Sequence, residues 1–152
     1  MKEQQMASFE DILNTPAASI KSPEPLPVGS YICIVDGPGE FVQLGVNQTH
    51  ALKLNLKPLQ PQQDVDQEQL IESLDGQTLA DKRIPVTFFI TDESKHRVRN
   101  WCRDALGIEE GTKSLKEMIS EIPGRQVVAS VGHRAAKDGQ AVYMEVKGWA
   151  RV

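Results

Sequence analysis

The sequence predicts an all-β protein with helical insertions, a five-stranded barrel with a capping helix between strands three and four. Three observations predict it. From Gly29 onward, short segments of alternating or β-branched apolar residues recur between Gly-rich turns. One strongly marked amphipathic helix, DESKHRVRNWCRDALGI, interrupts them after the third segment. Two further β segments follow, joined by a loop that holds Asp138-Gly139, a favoured turn pair.

Residues 1–28 carry little regular signal. Pro23, Pro25 and Pro27 disfavour both helix and ladder pairing, so this stretch reads as an extended, proline-rich N-terminal arm. Ahead of the prolines, SFEDIL offers Ser8 as a cap and Phe9, Ile12 and Leu13 as a small apolar face. It suits one docked helical turn or a partner-binding peptide.

The domain proper spans residues 29–152. GSYICIVDGPGEFVQLG is the first strand, bent by Asp36-Gly37-Pro38-Gly39. HALKLNLKP is the second: Leu52, Leu54 and Leu56 point one way, Lys53, Asn55 and Lys57 the other. Residues 58–83 form a polar, acidic inserted loop with a short helix from Asp66 to Leu74, a surface feature by its length. RIPVTFFIT is the third strand, with Ile84, Val86, Phe88 and Ile90 inward and Thr87 and Phe89 outward.

In the helix, Asp92 or Ser94 serves as N-cap and Gly107 as the stop. Val98, Trp101, Cys102, Ala105 and Leu106 share one face, which closes the barrel core. Lys95, Arg99 and Arg103 form another, read as a solvated face rather than a nucleic-acid contact. A shorter helix from Ser114 to Ile122 ends at Pro123-Gly124. In the last strand Val142, Met144 and Val146 face one side, with Tyr143, Glu145, Lys147 and Trp149 on the other. Five strands with the main helix between the third and fourth is the layout of an OB-fold.

Composition narrows the function. At 152 residues the chain is one domain, and the 5% of aromatic residues makes its core mostly aliphatic. The net charge of −4 is uneven: residues 1–82 hold 5 Lys/Arg against 12 Asp/Glu, residues 83–152 hold 12 against 9. Such a chain lacks the footprint of strong duplex binding. A local basic groove survives, because a Debye length of about 8 Å screens it from the acidic half. No apolar run reaches the length of a membrane span, and the N-terminus lacks the apolar stretch of a secretory leader. Cys33 and Cys102 lie in core-like segments and read as two reduced thiols, so the expected location is cytoplasmic.

Catalysis finds no motif. His50, His96 and His133 sit on separate elements with no metal-ligand spacing to either cysteine, and no nucleophile elbow or phosphate loop occurs. No catalytic residue, metal or cofactor is expected. Single-strand binding instead needs cations along a phosphate path and exposed rings on which bases stack. Alternation assigns that face to Lys53 and Lys57, Phe89, and Tyr143, Lys147 and Trp149, joined by Tyr31 from the first strand. Arg134 and Lys137, with His133, line the last hairpin. Glu145, within the row, opposes a phosphate path. The competing account packs Phe89 and Tyr143 under the acidic loop or the arm.

PLPVGSY, DVDQEQL, LADKRIPVTFFITDESKHRVRNWCRDALGI and SLKEMISEIPGRQVVASV together resemble a family of small tailed-phage proteins of no assigned chemistry. More distantly, the layout and the VGSY start are similar to phage single-stranded DNA-binding proteins with an OB-fold. That resemblance implies a non-enzymatic protein of phage DNA replication or recombination in the host cytoplasm. Its expected partners are single-stranded DNA, replication or recombination proteins, and a second copy of the chain in a homo-oligomer, with no membrane. The acidic half and the arm favour a different class, a protein-interaction module that modulates a host or phage protein. A minor structural protein of the virion is the third.

Overall fold

Alternating leucines and β-branched residues build one sheet, which a helix then covers. The computed structural model describes residues 9–17, 25–135 and 142–152. Six strands form a single open antiparallel sheet: β1 (Gly29–Val35), β2 (Glu40–Leu44), β3 (Thr49–Pro61), β4 (Ile84–Phe89), β5 (Gln126–Ala135) and β6 (Val142–Ala150). The order is β2-β3-β1-β5-β6, with β4 on the remaining edge of β3.

The count of six rather than five has a local cause. The Asp36–Gly39 bend breaks the first strand into β1 and β2, which follow one another along the same edge of β3. Gly37, at φ +78°, takes a left-handed conformation there. A Cβ at Gly39 would lie 2.6 Å from Leu52 Cδ1 and 2.7 Å from Leu54 Cδ2, so any side chain there would have to displace two buried leucines. Asp36 N–H donates to the Asn55 carbonyl at 2.9 Å, and Arg83 Nε holds its carboxylate at 2.8 Å.

The expected barrel is not closed, because β4 and β6 do not pair. The main helix stands beside that gap. Helix α3 (Lys95–Asn100) packs on β4, and the wider π turn Trp101–Ala105 that continues it packs on β6. Val98, Trp101, Cys102, Ala105 and Leu106 are all buried, as the apolar stripe predicts. Arg151, just past β6, donates from its guanidinium to the Asp104 and Arg103 carbonyls at 3.0 and 2.8 Å. It thereby satisfies carbonyls left over at the helix end.

Two other segments join the core. Leu26, at the end of the proline-rich stretch, is buried; its N–H donates to Met144 Sδ at 3.3 Å and its carbonyl accepts from His133 Nε2 at 2.6 Å. The acidic insertion is more than a surface loop. Its first residues, Pro58 to Pro61, are still strand β3. Val65 and Leu70 are buried and Leu74 and Leu79 pack on the core. Asp66 caps α2 (Gln67–Leu74) through the N–H groups of Glu68 and Gln69. Asp64 accepts from Ser30 N–H and Oγ, both at 2.9 Å.

The shorter helix, α4 (Leu115–Ser120), starts with a reciprocal Ser114–Glu117 capping box. At the other end of the chain, α1 (Phe9–Leu13) has no buried residue, and Phe9, Ile12 and Leu13 are exposed. The Asp138-Gly139 turn lies outside the described residues.

Candidate nucleic-acid interface

Strand parity fixes which side chains face away from the core. Leu52, Leu54 and Leu56 of β3 are buried, paired with Phe88, Val86 and Ile84 of β4. Of the residues between them, Lys53 opposite Thr87 and Asn55 opposite Pro85 are exposed, while Ala51, opposite Phe89, is buried. Phe89 is 48% exposed. It lies one diagonal step from Lys53, about 7–8 Å along the face. Lys57 follows on the same face, opposite Ile34 of β1. Among the described residues neither lysine has a carboxylate within ion-pair distance. The nearby Asp81 carboxyl is held below its usual range chiefly by hydrogen bonds from Thr78 N–H and Oγ1, with Arg83 and Lys57 adding to the effect.

Arg134, Tyr143 and Lys147 form a separate group. Arg134 stands opposite Tyr143, and both are exposed. Glu145 between them pairs with Arg134 at 3.6 Å and with Lys147 at 3.2 Å. One carboxylate thus serves two cations and offsets part of their charge. Strands β1 and β5 lie between β3 and β6. Three strand spacings, about 14 Å, therefore separate the two groups across the sheet. They do not make one continuous row.

Two residues expected on this surface face the core instead. Tyr31 is fully buried, and its hydroxyl donates to the Pro27 carbonyl at 2.7 Å. It shares parity with Cys33 and Val35, both core residues, and burial pushes its phenol pKa up. Trp149 is turned by a bulge. Ser130 pairs with Gly148 but Val131 pairs with Val146, so Lys147 is an extra residue in β6. The insertion reverses the alternation and sets Trp149 opposite the buried Ala129, edge-on to Trp101 with ring centroids 5.2 Å apart. Lys147 meanwhile lies along the backbone of Gly132, where a Cβ would meet its Cε at 2.6 Å. Lys137 lies outside the described residues.

The basic stripe of the helix is already engaged. Lys95 pairs with Asp92 at 3.2 Å, and Arg99 donates to Asn100 Oδ1. Arg103 pairs with Asp104 at 2.8 Å and Glu110 at 3.6 Å. Arg103 in turn holds the Asp104 carboxyl below its usual range. These contacts suit a solvated face.

Sequence reasoning missed a cavity of about 420 Å³ in the gap between β4 and β6. Trp101 lines it, flanked by Phe88 at 5.0 Å and Trp149 at 5.2 Å between ring centroids. Arg97, Asn100 and Asp104 line it too. The i, i+4 spacing of Arg97 and Trp101 was the available signal, since it puts both on one helix face. Trp101 Nε1 is the one buried side-chain nitrogen or oxygen among the described residues with no hydrogen-bond partner.

The described residues contain no group of three or more His, Cys, Asp or Glu side chains placed to hold a metal ion, and no helix long and apolar enough to cross a membrane. No family model matches the chain, and no curated protein matches it.

Proposed function

We propose that this chain is a non-enzymatic single-stranded DNA-binding protein of phage replication or recombination, whose DNA path follows the outer face of β3 and β4. The observation that carries the reading is Lys53 and Lys57, free of described ion-pair partners, beside the half-exposed ring of Phe89. Cations placed along a face with an exposed ring are what phosphate tracking and base stacking require. Connectivity supports it: with β1 and β2 counted as one bent strand, the strand order and helix position are those of an OB-fold that lacks its closing pair. Anisotropy of a labelled single-stranded oligonucleotide at low salt tests the reading, with duplex of the same sequence as control. Preferential single-strand binding is expected; indifference to both would overturn it.

The protein-interaction reading rests on a different observation, the exposed Phe9, Ile12 and Leu13 of α1. Under that reading α1 is the contacting peptide and the outer face of β3 and β4 binds nothing.

A further inference from the structure

We propose that the first half of β6, Val142–Val146, is a homodimer interface, at which a second copy of this chain extends the sheet edge to edge. A strand edge left bare presents unpaired N–H and C=O groups and invites pairing with another chain. Among the described residues, β2, β4 and β6 each pair with one strand only. The β4 edge is protected, because Pro85 supplies no backbone donor and α3 packs on the strand. β2 offers an edge of only 5 residues.

β6 differs. It runs for 9 residues without a proline. Its own protections, Lys147 and the bulge, lie in its second half. The π turn meets it at that end too, through Trp149 and the carbonyls that Arg151 holds. Val142–Val146 precede all of these, and Val142 and Tyr143 are 49% and 52% exposed.

The segment is complementary to itself. Antiparallel pairing about a two-fold axis through Met144 sets Val142 opposite Val146 of the partner subunit, and Met144 opposite Met144 of the partner subunit. Val142, Met144 and Val146 share the inner face, where they pair with Ala135, His133 and Val131 of β5, so apolar side chains meet apolar ones. On the outer face Tyr143 comes opposite Glu145 of the partner subunit. Arg134 stands on the other side of Tyr143, so the ring lies between a cation and a carboxylate. Glu145 is already paired within its own chain, with Arg134 at 3.6 Å and Lys147 at 3.2 Å, and no bare carboxylates are brought together. A two-fold contact uses the same edge on both copies and closes, and the protected β4 edge stops further growth. So short a stretch buries less than the roughly 1,000 Å² of a lasting interface, which makes the dimer weak and reversible. Such a dimer needs no DNA.

The test is sedimentation of the full chain across a micromolar concentration series, together with disulfide trapping. Wild type should pass reversibly from monomer to dimer as concentration rises. Val142→Lys, a change at an exposed position, should stay monomeric throughout, with circular dichroism confirming the fold. Trapping reads the register. Residues directly opposite in an antiparallel pair have Cα atoms about 4.5–5.5 Å apart, within disulfide reach. Val142→Cys mixed with Val146→Cys should therefore form a covalent dimer under oxidised glutathione. Either variant alone should not, because identical positions then lie four residues apart along the strands, about 13 Å. The native Cys33 and Cys102 are buried and do not compete. A wild type that stays monomeric at every concentration overturns the interface. So does association that survives Val142→Lys, or trapping that is as efficient in the single variants as in the mixture.

Discussion

Trp101 is buried where the helix meets both edge strands. It packs beside the gap between β4 and β6 and touches both Phe88 and Trp149. Trp101→Ala should lower stability by about 3–5 kcal/mol, the usual result of removing a buried aromatic. Chemical denaturation checks this, and an unchanged midpoint would show that the ring is not a plug. The thiols give a second residue-scale expectation. Burial pushes Cys33 up to about 12 and Cys102 up to about 11, so both stay protonated in the folded chain well above the ordinary thiol range. An unfolded thiol ionises near pH 8.5. From there toward pH 11–12 the unfolded state binds fewer protons, and stability falls as pH rises. Below pH 8 these groups should leave the denaturation midpoint flat. Cys33→Ala should reduce the alkaline slope in a midpoint-against-pH series. Native protein should also resist thiol reagents until it unfolds.

The acidic insertion shows how an element's role depends on a few side chains. Its polar composition suggests a segment that a short linker could replace. Yet Val65 and Leu70 are buried, and Val65 packs against Gly29, where a Cβ would come within 2.5 Å of Val65 Cγ2. Gly29 also sits at φ +146°, outside the range side chains favour. Replacing residues 62–81 with a Gly/Ser linker should therefore cost about 3–6 kcal/mol from those two side chains alone. A midpoint within error of the intact chain would show that the insertion is only a loop after all. The sheet was more legible than the insertion. Parity placed Leu52, Leu54, Leu56, Ile84 and Val86 inward and Lys53, Thr87 and Phe89 outward, as found. It misplaced Trp149, because the extra residue at Lys147 leaves no mark in the sequence beyond the following Gly148. Tyr31 was readable from its shared parity with Cys33. Its hydroxyl donates to the Pro27 carbonyl, an acceptor that the arm supplies.

At the scale of the whole molecule, the uneven charge of the sequence becomes a pattern of used and unused cations. Arg103, Arg134, Lys95 and Lys147 are spent on carboxylates, while Lys53 and Lys57 are not. Most of these partners are near in the chain, Asp92 for Lys95, Asp104 for Arg103 and Glu145 for Lys147, while Arg134 reaches Glu145 from the neighbouring strand. Phe89→Ala should weaken binding at every salt concentration with little change in slope, because stacking releases few ions. The most direct measurement is the salt dependence of single-stranded oligonucleotide affinity for the wild type, Lys53→Ala and Lys57→Ala. The proposed path predicts that each lysine variant binds more weakly, with the log–log slope shallower by about 0.7 per contact removed. Variants that keep the wild-type affinity and slope, or a wild type that binds no oligonucleotide at low salt, would contradict it.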